Sequence, residues 1–244
     1  MKSARKQGFT LVELLVVIGI LGILSAALFP AIGNAMLRAN MTSVATRGKD
    51  IYVAIVGANT EREPLGLGPV WPRATLGESD ANDPITGNMS TSSQYFEILM
   101  DIPNMSNPSS WAPYVNGLDP SKLAGSGVKV SPSTASSLDR QYNMWTIAGD
   151  ILDETEDIVP LLATRNFDDS NFIRTGSQQP NATRINEWYK QDATYRQPFF
   201  NKGFVMVRKG GATISLTARY TSQAIIYGGQ SVNLGSPGLT YLIP

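Results

Sequence analysis

The sequence predicts an α+β fold: one long N-terminal helix, then a head built on a late antiparallel β-sheet. Three observations carry this. An apolar run of 21 residues, Phe9 to Phe29, opens the chain with Glu13 as its single charged residue. A helical stripe of apolar residues continues from it. Strand-like alternation appears only beyond Tyr142, after a proline-rich stretch.

The bulk properties narrow the function. The 244 residues allow one large or two small domains, and Lys plus Arg equals Asp plus Glu at 20 each. No basic stripe with interleaved aromatics suggests nucleic acid as a partner. Histidine and cysteine are both absent. That removes the commonest general base, Cys/His zinc sites, Cys–His nucleophiles and Ser–His–Asp triads. G-x-S-x-G, Walker and G-x-G-x-x-G patterns are missing too, so no enzyme and no cofactor is expected.

The first element is the apolar run. At ~1.5 Å per residue, 21 helical residues cover about 31 Å, enough for a hydrocarbon core of ~30 Å. Its 14 Leu, Val, Ile and Phe side chains favour insertion by about 6 kcal/mol, against about 3 kcal/mol for one central acid. Insertion wins, and Glu13 near the end of the span costs less than at its centre. Lys2, Arg5 and Lys6 precede the run without an acid, which holds this end in the cytoplasm and sends the rest across. The competing reading is a secretory signal cut near "LSAAL". A signal's apolar core is shorter and rarely holds an acid.

The second element follows Pro30. Leu37, Met41, Val44, Gly48, Ile51 and Ile55 recur at spacings of three and four, a single stripe along one helical face. One helix therefore extends from near Phe9 to about Ala58. Pro30 lacks the N–H its turn needs and marks a kink or break. The stripe is expected to pack on the chain's own C-terminal domain, with a partner helix as the alternative.

"KQGFTLVELLVVIGILGILSAALFP" resembles the N-terminus of type IV pilins and type II secretion pseudopilins, the prepilin-like family. The matching features are a short basic leader ending in Gly8, an aromatic Phe9, the acid of "TLVE" at the fifth place after the leader, the long apolar helix and Pro30. The resemblance covers roughly the first 50 residues. It implies residues 1–8 as leader, 9–29 as transmembrane and assembly helix, 30–58 as amphipathic continuation and 59–244 as a periplasmic head. It implies cleavage between Gly8 and Phe9 by a prepilin peptidase, and N-methylation of Phe9. Its implied partners are other pilin-like subunits in a homo- or hetero-oligomeric filament, an inner-membrane assembly platform and membrane lipid.

Glu13 then has a role. The Phe9 amine freed by cleavage lies one helical turn away, and in a stack Glu13 of an incoming subunit meets the Phe9 amine of its neighbour. A charge pair in low dielectric is worth far more than one in water, and an unpaired charge costs several kcal/mol. The plain alternative is an acid that reaches back to the interface. Gly22 and Pro30 also match the family, in which the helix between such positions loosens during assembly; a static kink is the alternative.

Beyond Asn59 nine of the fifteen prolines fall between Pro64 and Pro132, so long regular elements are not expected there. Ser92 to Ile102 reads as a short helix with Ser at its start. Tyr142–Gly149 and Asp157–Phe167 read as strands. "GFVMVRKGGATISLTARY" reads as a hairpin turning at Gly210 and Gly211, and "AIIYGG" as a further strand. Asp150–Asp157 holds five acids in eight residues and reads as a solvated turn, with Ca²⁺ binding as the alternative. Asp80, Asn82, Asp83 and Asn88 make a second such pair of readings. The acidic run is offered, against ordinary solvated faces, as complementary to a neighbour's basic region (Arg196, Lys202, Arg208, Lys209, Arg219). Two departures leave the subtype open: no acid follows Asp192, where major pseudopilins often bind calcium, and no cysteine can close a pilin-type C-terminal loop.

Overall fold

The computed structural model describes residues 10–74, 89–101, 143–166, 177–178, 198–199, 202–217, 222–234 and 239–243. It shows an α+β fold with a long N-terminal helix and a C-terminal antiparallel sheet. The chain divides into two compact units, Met1–Asn40 and Met41–Pro244.

Helix α1 spans Leu11–Arg62 and is unbroken through Pro30, whose one missing N–H the rest of the helix tolerates. In the first unit its residues 11–36 are all exposed. In the second unit the stripe turns inward: Met41, Val44, Gly48, Ile51, Ile55, Ala58 and Arg62 are buried, at the spacing that the sequence shows. The helix outruns Ala58 by one turn because Ala58 and Arg62 continue the stripe. It stops where Pro64 begins a 3₁₀ turn, Glu63–Leu65, closed by Gly66 at φ 68°.

The second unit is organised on a five-stranded antiparallel sheet. Its strands are β1 (Trp145–Gly149), β2 (Pro160–Thr164), β4 (Gly203–Arg208), β5 (Thr213–Thr217) and β7 (Thr240–Leu242), in the order β5-β4-β2-β1-β7. A small ladder joins β3 (Ser177–Gln178) to β6 (Val232–Asn233). Cross-strand partners share a face. The pairings Trp145↔Thr164, Ile147↔Leu242, Leu162↔Val207 and Val205↔Ser215 define one face. Thr146↔Ala163, Ala148↔Tyr241, Ala163↔Met206 and Phe204↔Leu216 define the other. β1 and β2 are buried throughout, and β4 all but its last residue, so the strands read as continuous apolar runs rather than alternating ones.

The 41–62 segment of α1 covers the first face. Met41 lies against Gly203, Gly48 against Trp145 and Val207, and Tyr52 and Lys49 against Gly211. The helix thus runs alongside β4 in β4's own direction. A Cβ at Gly48 would come within 2.7 Å of both Trp145 and Val207, so glycine sets how closely helix and sheet approach.

The β4–β5 hairpin forms as expected, with Phe204↔Leu216 and Met206↔Ile214 in register. Its turn closes by Gly211 N–H donating to Arg208 C=O at 2.8 Å, and Gly211 takes φ 78°. "AIIYGG" is not a strand. Residues Gln223–Ile226 form a short helix, α3, because Ser222 caps it and Gly228 and Gly229 end it at positive φ. Helix α2 spans Ser92–Asp101, and its cap is Thr91 rather than Ser92. Ser92 is buried and donates to the Trp145 carbonyl at 2.7 Å.

Candidate functional site

The apolar end of α1 is built from its first turn. Thr10 N–H donates to Glu13 Oε2 at 2.8 Å, Thr10 Oγ1 donates to the same oxygen at 2.8 Å, and Glu13 N–H donates back to Thr10 Oγ1 at 3.3 Å. This reciprocal arrangement is a capping box, in which the acid three residues past the cap takes up an orphan donor of the helix start. The carboxylate therefore has hydrogen-bond partners within its own chain, and the negative charge lies at the favourable end of the helix dipole. The signal for it in the sequence is T-x-x-E directly before an apolar run.

Past this cap residues 11–36 of the helix are all exposed. Leu11 is 86% exposed, Ile23 74% and Phe29 71%. The segment is long and apolar enough to cross a membrane, and none of its most apolar stretch is buried. Gly19, Gly22 and Gly33 have open space where a Cβ would lie. Gly22, Pro30 and Glu13 thus share one exposed helical segment; Gly8 and Phe9 lie outside the described residues.

The acidic run is a structured turn. Asp150, buried at φ 59°, accepts the Ala74 N–H at 2.9 Å. Asp153 accepts the Trp71 indole N–H at 2.6 Å, and Glu156 accepts the Asn233 N–H at 2.7 Å. Lys209 is buried and donates to the carbonyls of Asp153 and Thr155 at 2.5 and 2.6 Å, with its ammonium 5.7 Å from the Trp71 ring. Gly210 N–H donates to the Asp157 carbonyl at 2.9 Å. The acidic turn and the basic hairpin loop therefore meet inside one chain. Arg208 is likewise used internally: its guanidinium donates to the carbonyls of Ile225 and Ile226, and burial pushes its pKa down. Among the described residues no three acids are grouped to hold a metal ion. The 80–88 loop, Arg196 and Arg219 lie outside the described residues.

Comparison with known proteins agrees with this geometry. Residues 3–29 match the prokaryotic N-terminal methylation motif, the signature of type IV pilins and pseudopilins. No curated protein and no solved structure matches the chain. The motif supports a type IV pilin-like or pseudopilin precursor and points to a structural protein. It implies processing by a peptidase and assembly into filaments. Among the described residues one helix is long and apolar enough to cross a membrane, and it is compatible with a single-pass inner-membrane anchor.

Proposed function

We propose that this chain is a structural subunit of a type IV pilus-like filament or a type II secretion pseudopilus. Prepilin peptidase cuts between Gly8 and Phe9 and the new Phe9 amine is methylated. Residues 9–29 then serve as membrane anchor and assembly helix, 30–58 continue it, and 59–244 form the periplasmic head. The observation that carries this reading is the uncovered apolar helix of residues 11–36, opening on Glu13 within the matched motif.

Glu13 is satisfied by Thr10 while the subunit is alone. Removing the leader places a cationic amine at Phe9, and in the filament the Phe9 amine of the adjacent subunit offers Glu13 a charge-assisted partner in low dielectric, stronger than the neutral cap. Exchange of one partner for the other sets axial register. The protein performs no catalysis; an ATPase elsewhere supplies the work of assembly. Replacing Glu13 with Ala tests this. Membrane insertion and head folding stay intact while incorporation into filaments is lost. Undiminished incorporation of E13A would favour the second reading, a membrane-anchored periplasmic binding module or enzyme that uses a pilin-like anchor.

A further inference from the structure

Strand β5 is an edge of the sheet, and its hydrogen-bonding phase follows from the turn. Arg208 N–H donates to Ala212 C=O at 2.9 Å, so that pair is hydrogen-bonded. In an antiparallel ladder bonded and non-bonded pairs alternate. Met206↔Ile214 and Phe204↔Leu216 are then bonded pairs, whereas Val207↔Thr213 and Val205↔Ser215 are not. The backbone N–H and C=O of Thr213 and Ser215 therefore point away from β4. Both residues are exposed, and among the described residues these outward groups have no partner.

Edge strands are usually blunted by lysine, proline, a bulge or an inward charge. Thr213-Ile214-Ser215-Leu216 carries none of these, and its pairing with β4 is regular throughout. We propose that this edge pairs with β5 of a second copy of the chain, antiparallel, about a two-fold axis at Ile214.

The register follows from the outward groups. With Ile214 opposite Ile214 of the second copy, Thr213 falls opposite Ser215 of the second copy, and the reverse. Each of those two pairs exchanges two backbone hydrogen bonds. The contact is isologous, so each copy offers the same patch. Ile214, half-exposed on the face away from α1, meets its copy in a non-bonded pair, where side chains approach most closely. No charge lies on the strand to oppose the approach.

The contacts of the 41–62 segment described above fall on β1, β4 and the turn at Gly211. Three strand spacings separate β4 from its copy, about 14 Å, which exceeds the ~10 Å at which helices pack. Because the 41–62 segment runs with β4, the axis normal to the sheet sets the two copies of that segment in opposite directions. The pairing does not rest on the proposed function.

The chain has no cysteine, so one introduced thiol is a clean reporter. Residues opposite each other in a non-bonded pair have Cα atoms about 4.5 Å apart, within disulfide reach. The test uses full-length I214C, S215C and T46C in detergent under mild oxidation. Thr46 is an exposed position on α1 and serves as the background control. I214C forms disulfide dimers several-fold above T46C, and S215C stays near background because it faces position 213 of the second copy. Adding Ser215→Pro to I214C removes one outward N–H without touching the β4 ladder, and the dimer falls to background while protease resistance of the head is kept. Dimerisation of I214C no greater than T46C overturns the proposal. So does S215C exceeding I214C, or a dimer that survives Ser215→Pro. None of these results bears on leader cleavage at Gly8, so the two readings fail separately.

Discussion

At Gly48 the approach of helix to sheet depends on one missing methyl group. Glycine in a helix costs ~1 kcal/mol relative to alanine. Here an added Cβ would sit 2.7 Å from both Trp145 and Val207, and overpacking of that kind costs about 1–3 kcal/mol. Gly57 is on the same helix with nothing within 4 Å of a Cβ. Gly48→Ala is therefore expected to lower the melting temperature of the head by several degrees and Gly57→Ala to raise it slightly, in thermal denaturation followed by circular dichroism. Tyr95 gives a second residue-scale test. It is fully buried and donates its hydroxyl to the Val70 carbonyl at 2.8 Å, and burial raises its pKa well above the usual 10.0. The neutral phenol is the folded form. Above about pH 10 only the unfolded chain ionises freely, so stability present below that pH is lost as pH rises towards the raised value. Urea titrations across this range should show an alkaline decline that is shallower in Tyr95→Phe, with that variant weaker at neutral pH because the Val70 carbonyl loses its donor.

At the scale of elements, two helices begin in the same way. Thr10 and Glu13 cap α1; Thr91 and Gln94 cap α2, with Gln94 N–H donating to Thr91 Oγ1 at 3.3 Å and Thr91 N–H donating to Gln94 Oε1 at 3.2 Å. Loss of such a cap costs roughly 0.5–2 kcal/mol. Thr91→Ala is expected to lower the denaturation midpoint by a corresponding amount, while Thr91→Ser keeps most of it. Both caps carry a sequence signature, T-x-x-E and T-x-x-Q, although the second is easily misplaced onto Ser92, one residue on. The helical stripe from Met41 to Ile55 and the hairpin at Gly211 were legible as well, because burial follows period 3.6 in one and the turn demands positive φ in the other. "AIIYGG" was not. Its apolar run fits strand and helix alike, and what decides it is the local Ser222 cap at one end together with the Arg208 guanidinium gripping the carbonyls of Ile225 and Ile226, a contact that only tertiary structure sets. The acidic run is a turn with Asp153, Glu154 and Asp157 exposed, as its composition suggests. What composition does not show is that Trp71 and Ala74, Lys209 and Asn233 hydrogen-bond to it from three separate places in the chain. Lys209→Met should therefore destabilise the head by about 1–3 kcal/mol, since the Asp153 and Thr155 carbonyls lose their donor.

For the whole molecule, the two units divide the tasks. The second buries a core around Trp145, Tyr95, Phe96 and Phe204 and uses Asp150 and Lys209 internally. The first exposes an apolar helix whose only charge among residues 10–37 is Glu13, held by its own cap. In water such a surface would aggregate, and its length suits a bilayer or a bundle of like helices. The account of that helix rests on removal of the leader, since only then does a cationic amine appear where Glu13 can find it. Intact-mass and N-terminal peptide mass spectrometry of the protein from its native host tests this most directly. The account predicts a chain beginning at a methylated Phe9. A retained Met1, or a cut downstream near Ala27, would contradict it.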